Sequence, residues 1–167
     1  MTQPPAPRDP ELQRLVDQAA VAAVVKGIGA AEDRRDWAAC RAYFADTVTV
    51  DYTSLDGGSP VTGSADAAVG QWQRGLGGLK ATLHVVDPTA ITVDGDEATA
   101  VSNGVTVHVY PNAIGGDAWK VWGVYTHRLR RAGAGEPWKV DYIQFALTYA
   151  EGNRDVVPRS QQAPYRP

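Results

Sequence analysis

The sequence predicts an α+β fold, with helices gathered ahead of a sheet of long antiparallel strands. Three observations carry this. Through the first third of the chain, apolar residues recur at three- and four-residue steps behind residues that cap helices. From Lys80 onward the period becomes two, with hairpin and turn signals between the runs. The two patterns are segregated along the chain, which argues against the alternation that builds a parallel α/β sheet.

Residues 1–9 read as a disordered leader, Pro-rich over most of its length. Asp9 and Pro10 then make a helix start: the carboxylate accepts from free amides, and Pro suits the first helical position. Leu12, Leu15, Val16, Ala19 and Ala23 extend the helix to about Glu32, with Gly27 and Gly29 weakening its last turns. Asp36 caps a short second helix bearing Trp37, Cys40, Tyr43 and Phe44. The alternation of Val48, Val50 and Tyr52 predicts a strand, and Ser64 caps a third helix whose inner stripe is Ala68, Val69, Trp72 and Leu76. Further strands are expected at 80–87 and Ala90–Val93, the second closed by the hairpin pair Asp94 and Gly95. Two long strands, Glu97–Tyr110 and Ala118–Arg131, flank a loop at Pro111–Asp117, and a last strand runs from Trp138 to about Tyr149. A single domain is expected over 10–153, followed by a tail at 154–167 that reads either as a disordered end or as a lid over a pocket.

Composition narrows the function. The 167 residues suit one domain, and 44% hydrophobic with 21% charged residues excludes wholesale disorder. A net charge of −3, with 16 Lys and Arg scattered in runs no longer than two, removes the footprint of a nucleic-acid binder. One cysteine, Cys40, can form no internal disulfide and no cysteine-based zinc cluster; on an amphipathic helix it reads as a small packing group. The longest apolar stretch, Ala19–Val25, is far short of a membrane span, so neither membrane nor nucleic acid is an expected partner and the cytoplasm is the expected compartment. Arg far exceeds Lys, which fits a GC-rich bacterial genome. Apolar residues on both faces of the strand at 118–131, Trp119 and Tyr125 on one and Trp122 and Val124 on the other, predict a sheet covered by helices on one side and by a second subunit on the other.

Three histidines, His84, His108 and His127, each lie within a strand among apolar neighbours. As isolated residues they read as hydrogen-bonded core or surface histidines. Neither their spacing nor an accompanying carboxylate motif makes a metal site of them, and no metal or other cofactor is expected. Asp33 is less easily placed. Stepping from 12 through 16, 19, 23, 26 and 30 leads to 33, which would turn this carboxylate to the sheet. A buried carboxylate needs a partner, and an imidazole on the facing strand is the natural one.

Taken together, Asp33 to Trp37 (DRRDW), Val50 to Tyr52 (VDY), His84 within ATLHVV, Gly123 to Thr126 with Arg128 to Arg131, Trp138 to Val140, and the closing Gly152 and Asn153 resemble the SnoaL-like branch of the NTF2-like superfamily over about residues 10–153. That branch includes scytalone dehydratases, hexachlorocyclohexane dehydrochlorinases and polyketide cyclases. The resemblance implies a cone-shaped α+β barrel, with N-terminal helices packed on a curved mixed or antiparallel sheet. It also implies a dyad in which Asp33 orients His84 and His84 removes a proton from carbon. Tyr52 falls where the dehydratases carry a tyrosine that polarises a carbonyl, and His108 about where they carry a second histidine. The pattern is not complete. The dehydratases have a Tyr immediately before the dyad Asp, where this chain has Glu32. Their polar residues on the strand at 118–131 have no clear match, with Tyr125 or His127 as substitutes, and Lys26 does not place the dehydrochlorinase lysine.

The expectation is a cofactor-independent dehydratase, lyase or cyclase acting on a small hydrophobic, cyclic, carbonyl-bearing molecule, of the kind met in polyketide or aromatic secondary metabolism. His84, Asp33, Tyr52 and His108 are its candidate catalytic residues. Trp72, Trp119, Tyr125, His127 and Phe145 are candidates to bind substrate. The alternative is a ligand-binding or dimerising module that keeps the pocket and needs no working dyad. A third possibility, the small subunit of a ring-hydroxylating oxygenase, shares the fold.

Overall fold

The computed structural model describes residues 9–111 and 114–166. Residues 1–8 of the expected leader, and residues 112 and 113 of the Pro111–Asp117 loop, lie outside the described residues. The order of elements is α1 (Pro10–Asp33), α2 (Trp37–Ala42), β1 (Phe44–Asp51), α3 (Thr53–Asp56), β2 (Val61–Ser64), α4 (Ala65–Leu76), β3 (Ala81–Asp94), β4 (Glu97–Val109), β5 (Ala118–Arg130), β6 (Lys139–Gly152) and α5 (Val156–Gln162).

The capping residues act as their chemistry requires. Asp9 accepts from the Glu11 amide, Asp36 from Ala39 and Ser64 from Ala67, each satisfying a donor that the first helical turn leaves free. The buried face of α1 is not the one the sequence suggests. Leu12, Leu15 and Val16 are exposed, and the inward stripe is Asp17, Val21, Val25, Ile28 and Glu32. The stripe that leads to Asp33 is therefore corrected by about a third of a turn, and the residue it carries inward is Glu32.

Six strands form one mixed sheet in the order β2-β1-β6-β5-β4-β3, which does not close: β2 and β3 are its edges. All neighbours run antiparallel except β1 and β6, which are parallel. The two strands expected at 80–87 and Ala90–Val93 are one strand, β3, with a register shift between Pro88 and Ala90. Pro88 has no amide hydrogen to give, and an edge strand is where that loss is tolerated. Its hairpin to β4 turns at Gly95, whose φ of 58° lies in the left-handed region that glycine adopts without steric cost.

The core lies between α1, α2 and α4 and the inner sheet face, with Val21, Val25, Val48, Val69, Leu129 and Val140 at its centre. Burying each such side chain is worth about 1.5–3 kcal/mol. Cys40 sits within it, fully buried, its thiol pushed up to about 12 by that burial, as suits a packing residue. The short elements α3, β2 and α5 are additions to the sequence-based picture. Residues 156–162 of the tail form a helix, α5, with Val156 fully buried against the domain. Among the described residues no helix is long and apolar enough to cross a membrane.

Candidate active site

The end of α1 and the start of β3 are locked together. Arg35 adopts a left-handed conformation (φ 61°) that turns the chain out of the helix. Its guanidinium then donates to the Glu32 carbonyl (2.8 Å) and to Thr82 Oγ1 on β3 (2.7 Å). The non-glycine left-handed backbone costs about 1–2 kcal/mol, which those two charged hydrogen bonds offset. The helix can approach the strand closely because position 29 is glycine: a Cβ there would lie 2.7 Å from the Cβ of His84.

Asp33 holds His84 at two points. Its Oδ2 accepts from the His84 backbone amide (2.9 Å) and its Oδ1 meets His84 Nδ1 at 2.7 Å. Burial works against the Asp33 carboxylate, but the hydrogen bonds from His84 outweigh it and hold its pKa below the ordinary value. An ionised carboxylate can only accept, so Nδ1 carries the hydrogen, and in the neutral ring the lone pair is on Nε2. At Nε2, 3.4 Å away, is Glu32 Oε2. Burial raises the pKa of Glu32; His84 opposes that rise and Asp33 adds to it. Burial disfavours the charged form of His84, yet Asp33 and then Glu32 raise its pKa above the usual 6.5.

His84 opens on a cavity of about 530 Å³. Three of the four expected catalytic residues, His84, Tyr52 and His108, line it, as do all five expected binding residues, Trp72, Trp119, Tyr125, His127 and Phe145. Asp33 is not in the wall but stands behind His84. Tyr52, at the N-cap of α3, has its phenol pushed well up by burial, as has Tyr125. His108 stacks on Trp119 with ring centroids 5.0 Å apart, and its Nδ1 donates to the Trp119 carbonyl at 3.3 Å. Burial and the neighbouring His84 lower its pKa to about 4, so at neutral pH its Nε2 is an acceptor. His127, 2% exposed, is lowered to about 4 by burial, and its Nδ1 has no hydrogen-bond partner among the described residues. Val157 and Gln161 of α5 complete one side of the wall. No group of three or more His, Cys, Asp or Glu among the described residues is arranged to hold a metal ion.

Glu32 was missed as a wall residue. The signal was present, since Val21, Val25, Ile28 and Glu32 follow one another at helical steps.

Helices packed over one face of an open mixed sheet, with a pocket between them and a histidine–carboxylate pair at its end, define an NTF2-like protein. The chain belongs to the SnoaL-like domain family, whose model matches residues 13–144. Among solved structures it is similar to the Kfla4162 protein from Kribbella flavida, with a TM-score of 0.78 at 22% identity over 89% of this chain and 99% of that one. A scytalone dehydratase-like protein from Novosphingobium aromaticivorans gives a TM-score of 0.73 at 18% identity, covering 86% of this chain and 92% of the other. A Type2 hexachlorocyclohexane dehydrochlorinase (LinA) gives 0.71 at 14% identity, over 86% and 93%. A search of the curated proteins by sequence returned no significant match.

Proposed function

We propose that this protein is a cofactor-independent enzyme that removes a proton from carbon, in an elimination, isomerisation or cyclisation of a small hydrophobic, cyclic carbonyl compound. The observation that carries the reading is the Asp33–His84 pair, 2.7 Å from Oδ1 to Nδ1, with His84 in the wall of a largely apolar cavity. Asp33 fixes the tautomer and stabilises the imidazolium that forms, and Nε2 acts as the base. Tyr52 donates to the substrate carbonyl, where negative charge develops. His108 Nε2 accepts from a substrate hydroxyl, and the unpartnered Nδ1 of His127 holds a second polar group. Trp72, Trp119, Tyr125 and Phe145 enclose the ring. Relatives named as a dehydrochlorinase and as scytalone dehydratase-like support the reaction class. The same reading takes the cytoplasm as the compartment and a second copy of the chain on the outer sheet face, where Leu83 and Val85 stand more than half exposed.

The test begins with a thermal-shift screen of aromatic and polyketide-like carbonyl compounds, followed by turnover of those that bind. His84→Ala should abolish activity in a folded protein. Asp33→Asn, which cannot stabilise an imidazolium, should cost about 10²–10⁴-fold, and the two losses should be far from additive. If His84→Ala turns over within a few-fold of the unchanged protein, another group is the base; if no bound compound is turned over, the pocket is a binding module.

A further inference from the structure

An elimination needs two proton transfers: one taken from carbon and one given to the leaving oxygen. The His84 reading above supplies only the first, and the inference here rests on it. Of the polar groups in the cavity wall, most are poorly suited to give the second. His108 donates its Nδ1 hydrogen to the Trp119 carbonyl and is neutral, so its cavity-side nitrogen accepts. His127 is likewise neutral. The phenols of Tyr52 and Tyr125 are made weaker acids by burial. Asp56 is ion-paired to Arg154 at the surface, 3.0 Å apart.

Glu32 differs from all of these. It is 7% exposed, it lies in the cavity wall, and its Oε2 is 3.4 Å from the nitrogen that acts as base. Adjacent residues at the end of α1 thus bracket one imidazole, Asp33 on Nδ1 and Glu32 on Nε2. We propose that Glu32 is a catalytic residue of this site, the acid that serves the base His84, and that the two side chains pass one proton between them in every turnover.

The step balances within the site. The pair of electrons on His84 Nε2 takes the hydrogen from carbon, and the C–H electrons become the new C=C bond. The C–O bond breaks toward oxygen, and that oxygen takes the Glu32 proton and leaves as water. What remains is an imidazolium beside a carboxylate. Transfer of the Nε2 hydrogen to Glu32 restores both, with no proton drawn from solvent. Burial of Glu32, which favours its neutral form, suits it to wait in the acid state. The charged and titratable groups that face it are His84 from β3, Asp33 and Arg35 from the end of its own helix, Cys40 from α2, Tyr52 from the start of α3 and Tyr125 from β5.

Two probes on the full-length protein separate the acid from the base. With 4-phenylbutan-2-one in D2O, exchange of the α-hydrogens, read by proton NMR, needs a base and no leaving group. With 4-hydroxy-4-phenylbutan-2-one, dehydration to the conjugated enone, read by ultraviolet absorbance, needs both. Glu32→Gln, nearly isosteric, should slow dehydration more than 100-fold and exchange less than tenfold. Glu32→Asp keeps an acid but draws it back from Nε2, and should recover part of the dehydration. Dehydration by Glu32→Gln within threefold of the unchanged protein overturns the role given to Glu32 and leaves His84 as base. Exchange undiminished in His84→Ala overturns the reading beneath it. Should Glu32→Gln fail to fold, Glu32→Asp carries the same comparison, and equal losses on both probes would refute the division of labour.

Discussion

Gly29→Ala separates local helix chemistry from the needs of the site. In an ordinary helix interior this change stabilises by about 1 kcal/mol, because alanine loses less backbone entropy on folding. Here the new methyl would sit 2.7 Å from the Cβ of His84, where ordinary contact begins near 3.4 Å, so helix and strand must part by about 0.7 Å. β3 is tied to β4 along its whole length, so the strain falls on the α1 junction. Overpacking of this kind costs about 1–3 kcal/mol, which cancels or reverses the helix gain. The same displacement stretches the 2.7 Å Asp33–His84 hydrogen bond toward 3.4 Å, and misplacement on this scale costs up to about 100-fold in rate. Gly70→Ala provides the calibration, since within the interior of α4 its methyl would meet nothing closer than the end of the Arg74 side chain at 3.5 Å. Thermal melts should show Gly70→Ala up by about 2–4 °C and Gly29→Ala level or down. The His84 midpoint, read by nitrogen-15 NMR, should fall only in Gly29→Ala, as Asp33 loses its hold. A Gly29→Ala protein as stabilised as Gly70→Ala, with an unmoved His84 midpoint, would refute the argument.

Acid should destabilise the fold through two histidines. His108 and His127 are lowered to about 4, so between pH 6.5 and 4 the unfolded chain takes up protons that the folded chain refuses. Each therefore removes about 3 kcal/mol across that window. His84, whose pKa is raised, works the other way: its contribution is present at low pH and is lost as pH rises through its folded midpoint. Urea melts at pH 7, 5.5 and 4.5 should show His127→Gln with a shallower loss than the unchanged protein, and parallel curves would count against a neutral buried His127. Removing residues 154–167 takes away the buried Val156 and opens the wall at Val157 and Gln161, so melts should lose about 1.5–3 kcal/mol and ligands found by screening should dissociate faster. Unchanged ligand affinity would dispose of a lid. Light scattering should give twice the 17.8 kDa chain mass, and Val85→Lys on the outer sheet face should return it to one; a monomer before the substitution refutes the second copy.

The fold was legible where the local signal is strong. Asp9, Asp36 and Ser64 each marked a helix start through side-chain chemistry that needs no tertiary context. In the strands at 97–110 and 118–131 the turn signals at the ends marked the bounds, and burial alternates along most of each because one face lies against the core. The face of α1 was misread because Leu12, Leu15 and Val16 set its phase, yet the first turns stand clear of the sheet and leave these side chains exposed. Pro88 read as a strand break because a sequence does not show which strand will be at the edge. The short elements α3, β2 and α5 carry too few residues for a period to emerge. Within the site, Asp33 and His84 were reached by combining a carboxylate's need for a partner with a family resemblance. Glu32 was seen only as a departure from that family. Its distance to Nε2 depends on how the end of α1 docks on β3, which is fixed by Arg35 and Gly29 across a gap of some fifty residues.

The parallel seam between β1 and β6 has a consequence for how the chain reaches this state. β3 to β6 are joined by successive antiparallel neighbours, so they can zip together through short loops. β1 instead waits for a strand made almost a hundred residues later, as the pairing of Asp51 with Gln144, 93 residues apart, measures directly. Closing so long a loop is entropically slow, and contacts of this separation govern folding speed. The seam also runs beside the cavity, with Val50 and Tyr52 on one side and Ile143 and Phe145 on the other. The acid–base end of the site thus needs α1 to dock on β3 across about fifty residues of chain, whereas its apolar end needs the 93-residue closure of β1 on β6. Until that closure a ribosome-bound or refolding chain holds the dyad's strand in a half-built bowl whose greasy interior is open to water.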